Sequence, residues 1–421
     1  MWVAALALSA FVGLASFVVV NELKAPLKSL IIGVPPGAGS KGNAAYLLYY
    51  TRKAQHPKAT VSPHELRMAG EAYRTAPLQL PALAIIAEAR RAGAEQATRP
   101  RLLEFAGRLS RRNSAVTAQL VELAALRQDQ KSFFAWLSRA ALTSNHQRDG
   151  YVAAMALGTA RPGAVDALTP VLGANPAWAD FYWLAVAKVP ESLSNAAKVR
   201  IAIAQKPWNR TEIVDNDRRL LRALVAGRQF DAARQVFDVL SPASKPSASF
   251  LVNTGFARQP QLPPFDWELA ASGDLGSTVI PKERALMISA IGGARGMAAR
   301  QLVALPGGNY NLGWKLSGAS ADQAKLAVRI GCAEAGNRAS ASFPLKPGAH
   351  SRSISAPAGE CNWYWFTITA ALDDTAPGID VFLRDLSLTR ASGPVRAEAA
   401  PQTITAPLAR VTDGRGAGAA E

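Results

Sequence analysis

Residues 361–370 read CNWYWFTITA. Tyr364, Phe366 and Ile368 alternate with Trp363, Trp365 and Thr367. Successive side chains of a strand point to opposite faces, so a strand here would carry one uniformly apolar face and one bearing two indoles. The Tyr/Phe/Ile side is expected to be core. The same period of two recurs outward from this stretch. In NYNLGWKL (309–316) Tyr310, Leu312, Trp314 and Leu316 share one face, and in KLAVRIGC (325–332) Leu326, Val328, Ile330 and Cys332 do. GIDVFLRDLSL (378–388) reads as a further strand, and LPGG, KPGAH and APAGE read as turns. Several short strands without a long helix predict an antiparallel β-sandwich over 264–391.

The two cysteines of the chain, Cys332 and Cys361, both fall at strand ends in this region. An even pair in one small β-domain points to a disulfide and an oxidising compartment; two separate buried thiols are the alternative.

The wording of the strands goes further. ARQLVALPGGNYNLGWKLSG (299–318), a strand ending in Cys332, then APAGECNWYWFTIT (356–369) and IDVFLRDLSLTR (379–390) resemble the galactose-binding-like jelly rolls of carbohydrate-binding modules. The resemblance covers 264–391. It implies a jelly roll that touches a glycan, although the same fold also serves proteins that bind no sugar. Trp363 and Trp365 are then the glycan-binding candidates, about 7 Å apart along one strand and able to stack on sugar rings. A loop, the linker or a helical neighbour covering the indoles is the competing expectation.

N-terminal to the sandwich, residues 241–263 are rich in Pro and Ser and read as a linker. Residues 44–240 show apolar recurrence at three and four, as in LPALAIIAEARRAG (80–93) and VTAQLVELAALRQDQKSFFAWLSRAAL (116–142), which predicts an α-helical array. Two stretches resemble halves of a tetratricopeptide repeat. In NPAWADFYWLAVAKV (175–189) Phe181, Leu184 and Ala185 fall at the packing positions of the first helix. In VAGRQFDAARQVFDVL (225–240) Gly227, Phe230, Ala233 and Phe237 fall at the turn and second helix. Residues 113–146 have the length of one more unit, with Phe133, Phe134 and Leu137 inward. The resemblance implies stacked hairpins that present a surface to protein partners.

Residues 1–20 carry no charged side chain, so residues 1–22 are expected to form a transmembrane helix, with a cleaved signal peptide as the rival reading. A Pro/Gly spacer follows over 23–43. Its GVPPGAGSKG (33–42) superficially suggests a phosphate loop, but Ser40 precedes Lys41, where such a loop has Lys before the hydroxyl, and Pro35 and Pro36 remove amide donors. Lys24 and Lys28 follow the apolar run, which favours a cytoplasmic bulk by the positive-inside rule; the cysteine pair and the jelly-roll resemblance favour the periplasm. Residues 392–421 read as a disordered tail.

The net charge is +16, and it is uneven: residues 1–263 hold 32 Lys/Arg against 17 Asp/Glu, the remainder 15 against 14. No nucleic-acid reading motif accompanies the basic half, so no nucleic acid is expected as partner. His56, His64, His146 and His350 are scattered, which argues against a metal site, and no cofactor is expected. Asp373 and Asp374 offer an adjacent acid pair of the kind glycoside chemistry needs, but a solvated turn accounts for them. The combined expectation is a non-enzymatic chain at the bacterial inner membrane with its bulk in the periplasm. There helices would bind protein and the jelly roll a polysaccharide during assembly or export. A general envelope scaffold with a protein-packing jelly roll, or a carbohydrate-active enzyme, are the alternatives.

Overall fold

The computed structural model describes residues 2–31, 38–91, 95–241, 249–318, 325–335, 339–356, 359 and 361–391. The expected tail (392–421), the centre of the spacer (32–37) and residues 242–248 of the expected linker lie outside the described residues. The chain divides into two compact units, residues 1–208 and 209–421.

The first unit is helical: α1 (Trp2–Lys24), α2 (Pro26–Ile31), α3 (Ala38–Gln55), α4 (Pro63–Thr75), α5 (Leu80–Ala89), α6 (Arg99–Leu109), α7 (Ser114–Leu126), α8 (Gln130–Thr143), α9 (Arg148–Gly158), α10 (Ala164–Gly173), α11 (Ala179–Val186) and α12 (Leu193–Ala204). Local chemistry starts several of them. Ser62 and Glu65 form a reciprocal capping box on α4, with Pro63 in the first turn. Asn113 and Asp129 cap α7 and α8 by accepting from the Val116 and Ser132 amides. Helices pack mainly on near neighbours in sequence, α3 on α4 and α5, α7 on α8, α8 on α9 and α10. Small residues allow close approach: Ala45, Ala69, Ala72 and Ala82 are fully buried beside Tyr49 and Ile85. A Cβ at Gly42 of α3 would stand 2.8 Å from Gln79 Oε1 and 3.4 Å from Ala82 Cβ. Gly39 to Gly42 thus lie within a packed helix, and Lys41 is bound to Glu71 at 2.8 Å.

The segment expected to anchor the chain forms α1. Its described large side chains, Leu8, Phe11, Val12, Leu14, Phe17 and Val20, are all exposed. Among the described residues no helix is long and apolar enough to cross a membrane, so the expected transmembrane span is not supported; α1 contacts α2 and α3.

The tetratricopeptide reading is not confirmed either. Phe181 of α11 is 44% exposed and Leu184 and Ala185 are half-buried, while Tyr182, Trp183 and Val186 turn inward. Tyr182 is held there by its hydroxyl, 2.9 Å from Thr159 Oγ1. On α8, Phe133, Phe134 and Leu137 are buried as expected.

A buried carboxylate ties two helices together. Glu88 on α5 accepts from Tyr49 Oη (2.7 Å) and Lys53 Nζ (2.8 Å) on α3, and Arg91 lies 3.2 Å away just beyond α5. Burial raises its pKa, but the bonds from Lys53 and Tyr49 outweigh this and hold it below the usual carboxylate range. A depressed folded-state pKa contributes stability above the unfolded value of about 4.3, and that stability is lost as pH falls through the folded value. The melting temperature of the helical unit is therefore expected to be level down to about pH 5 and to fall in more acid solution. Glu88→Gln should lower stability at neutral pH by about 2 kcal/mol, because it leaves Lys53 without its charge partner while Arg91 keeps Glu122, and it should flatten the acid limb. Circular dichroism melts across pH on both proteins check this; an unchanged acid limb in the variant would assign the dependence elsewhere.

The second unit begins with the hairpin α13 (Asp215–Ala226) and α14 (Phe230–Leu240) and continues into a two-sheet antiparallel sandwich. Its strands are β1 (Glu268–Leu269), β2 (Leu275–Ile280), β3 (Ala285–Ala290), β4 (Arg295–Ala304), β5 (Gly308–Ser317), β6 (Lys325–Cys332), β7 (Ala339–Pro344), β8 (Gly348–Ala356), β9 (Trp363–Ala371) and β10 (Ile379–Arg390). One sheet runs β1-β4-β9-β6-β7 and the other β2-β3-β10-β5-β8. The core between them holds Tyr310, Leu312, Trp314 and Leu316 of β5, Leu326, Val328 and Ile330 of β6, and Tyr364, Phe366 and Ile368 of β9. These are the faces that alternation assigned to the core. Cys332 and Cys361 form a disulfide.

The segment read as a linker is part of this unit wherever it is described. Leu251, Val252, Phe256 and Leu262 are buried. Gln301 of β4, itself fully buried, accepts from the Val252 amide (2.7 Å) and donates to the Val252 carbonyl (3.1 Å). Phe250 N bonds to Leu388 O and Leu302 N to Pro264 O, both at 2.8 Å. The unit boundary thus falls at residue 208, ahead of the Pro/Ser-rich stretch. In consequence the second repeat-like stretch serves the sandwich. Phe230, Ala233 and Phe237 are buried on one stripe of α14 and Gly227 ends α13, but Phe237 stacks on Phe265 and Phe230 on Trp363.

Candidate functional site

The outer face of the sheet β1-β4-β9-β6-β7 carries the expected tryptophans, and the structure separates them. Trp363 is buried, its ring centroid 5.9 Å from Phe230 and 5.7 Å from Phe265, and its Nε1–H donates to Asp231 Oδ1 at 3.2 Å. Trp365, two residues on, is half-buried. The Arg300 guanidinium lies 4.4 Å from its ring centroid and is fixed by Glu268 at 2.6 Å. The pair of adjacent free indoles that alternation alone suggests is therefore not formed. Helix α14 and the 262–267 segment cover one end of this sheet face.

The other end is open. Pairing across β4, β9 and β6 sets Arg300, Thr367 and Arg329 in one row, Met297, Thr369 and Ala327 in the next, and Arg295, Ala371 and Lys325 in the third. Outward-facing members of these rows line a groove of about 470 Å³ with Arg295, Met297, Arg300, Arg329, Thr367 and Thr369 at its walls and floor. Gly331, opposite Trp365, leaves the floor without a side chain there. A second depression of about 660 Å³ over the β1–β2 side shares Arg295, Gly296 and Met297 with it, so the concavity continues past β4. Sequence reading missed Arg295, Arg300, Arg329, Thr367 and Thr369 as a site. Alternation does mark Arg329 as outward, between core-facing Val328 and Ile330, but not which strands adjoin it.

The acids near the groove are engaged by cations. Asp373 is paired with Lys325 at 2.6 Å, and that bond, with Arg295 adding to it, holds its carboxyl below the usual range. Glu268 belongs to Arg300. A Glu334 carboxylate oxygen lies within 4.8 Å of the Cys332 and Cys361 sulfurs, but these are joined to each other and offer no thiolate to a metal. His350 sits apart on β8, against Trp314 and with its ring nitrogen on the Pro347 carbonyl.

No protein-family model matches the chain, and no curated protein matches it. Solved structures with a similar sandwich include a chain titled "CBM4 structure and function" (13% identity, TM-score 0.26, 34% of this chain and 99% of that one). Another is TmCBM61 in complex with β-1,4-galactotriose (18% identity, TM-score 0.26, 34% of this chain and 100% of that one). Similarity at this level leaves the chemistry to be argued from the residues.

Proposed function

We propose that the second unit is a glycan-binding module without catalytic chemistry, and that the groove on the outer sheet face is its binding site. The observation that carries this is the half-covered sheet: an ordered strand face is walled at one end and left open over a row of hydroxyl and guanidinium donors. A saccharide offers a chain of hydroxyls to such donors and an apolar ring face to Met297 and the edge of the indole. Among the described residues the groove's own walls carry no carboxylate, and Asp274 of the adjoining depression is a single acid where glycoside cleavage uses two, which favours binding over hydrolysis. The disulfide supports work in an oxidising compartment.

The test is titration calorimetry of the whole chain against soluble galactan, glucan, xylan and pectic oligosaccharides. Replacing both floor hydroxyls, Thr367→Leu with Thr369→Leu, should weaken binding at least tenfold while moving the melting temperature little, since both side chains point away from the core. Binding that survives this change, or release of reducing sugar by the unaltered chain, would defeat the reading.

A further inference from the structure

Resting on that reading, we propose that the groove selects an acidic glycan, one whose sugar rings bear carboxylates. Four cations meet on this face, Arg295 and Lys325 in one row and Arg300 and Arg329 in another. Among the described residues three carboxylates stand near them: Glu268 and Asp373, each paired with a cation, and Asp274 in the adjoining depression beside Arg295. Adjacent strands lie about 4.8 Å apart, so Arg300 and Arg329 flank Thr367 with backbones about 10 Å apart. The two cationic rows are four residues apart along β9, about 14 Å. That is a repeating pattern of charge along an extended groove, with the Thr369 hydroxyl between the rows.

Arg329 gives the strongest indication. It is exposed on the groove wall, and no carboxylate pairs with it among the described residues. Its row neighbours are Thr367 and Ser342, both able to donate and accept hydrogen bonds beside a bound anion. A guanidinium presents a planar fork that meets a carboxylate with two parallel bonds, which a neutral hydroxyl cannot match. Arg300 is pre-set for the same task, since Glu268 and the Trp365 ring fix its plane. A neutral saccharide would leave this face with uncompensated positive charge; a uronate-bearing one would neutralise it.

The experiment compares oligogalacturonate, neutral galacto-oligosaccharide of the same length, and inorganic polyphosphate as a sugar-free polyanion, each titrated into the whole chain. The acidic sugar is expected to bind at least tenfold tighter than the neutral one, and its binding should weaken as NaCl rises from about 50 mM to about 500 mM. Arg329→Gln should cost at least tenfold for the acidic sugar and less than twofold for the neutral one, with Arg329→Lys recovering part of the loss. Unchanged melting temperatures confirm that these exposed substitutions leave the fold intact. Equal affinity for both sugars, abolished by the Thr367→Leu/Thr369→Leu pair, would overturn the charge selection and leave the glycan module standing. Acidic binding indifferent to Arg329→Gln would place it elsewhere on this basic chain and overturn the proposal. Polyphosphate binding as tightly and as sensitively to Arg329→Gln would make the site a general anion groove and overturn it too. Binding of no sugar at all would remove both readings.

Discussion

Reduction of the Cys332–Cys361 bridge is expected to lower the stability of the second unit by about 3–4 kcal/mol. The bridge closes a loop of 29 residues, and the chain-entropy argument gives that magnitude for such a loop. What the loop contains sharpens the expectation. Strands β7 and β8 both lie between the two cysteines, and each is the edge strand of a different sheet. An edge strand has hydrogen-bond partners on one side only, so it depends most on its tethers. Urea melts with and without reductant should differ by the stated amount. Hydrogen exchange should show the amides of β7 and β8 losing protection before those of β9. Equal melts in both conditions would mean that the pairing of β6 with β9 alone fixes these ends.

Trp363→Ala is expected to cost about 3–5 kcal/mol, as for other large aromatic residues removed from a core. The indole fills the space between Phe230 and Phe265, and its loss also strips Asp231 of a donor. Trp365→Ala should cost about 1–2 kcal/mol, since this ring is half-exposed and is capped by the Arg300 guanidinium. Denaturant titration of the two variants compares them directly. Two neighbouring tryptophans of one strand face would then differ severalfold in effect. Equal small losses would mean that the hairpin does not hold Trp363 in solution.

The contrast between these two residues shows how far the sequence could be read. Period-two alternation assigned Tyr364, Phe366 and Ile368 to the core and both indoles to the outer face, and each is found there. It could not show that Trp363 is covered, because the cover comes from α14, more than a hundred residues earlier. The stripe Phe230, Ala233 and Phe237 announced a helix with one apolar side; nothing local says whether that side meets another helix or a sheet. Arg300 and Arg329 are likewise outward by alternation, but only the strand order β4-β9-β6 makes them neighbours across Thr367. For α11 the difficulty was of another kind. In ADFYWLAV nearly every position is apolar, so a helical period cannot choose between Phe181 and Tyr182 for the inward place; the Thr159 hydroxyl, reachable by Tyr182 alone of the two, sides with the latter.

The buried Gln301 has a bearing on how the second unit melts. By holding both the amide and the carbonyl of Val252, it fastens to β4 of one sheet the strip of chain that leads from the helical hairpin. Phe250 is fastened to β10 of the opposite sheet by its own amide, which donates to the Leu388 carbonyl. One short strip thus bonds to both layers of the sandwich and is covalently continuous with the hairpin that roofs it. The strip cannot leave either sheet without breaking these bonds, and the hairpin cannot leave without uncovering the buried Trp363 and Phe265 rings. Hairpin, strip and sandwich therefore form a single cooperative block, and a cut placed at the Pro/Ser-rich stretch would sever a folding unit in two.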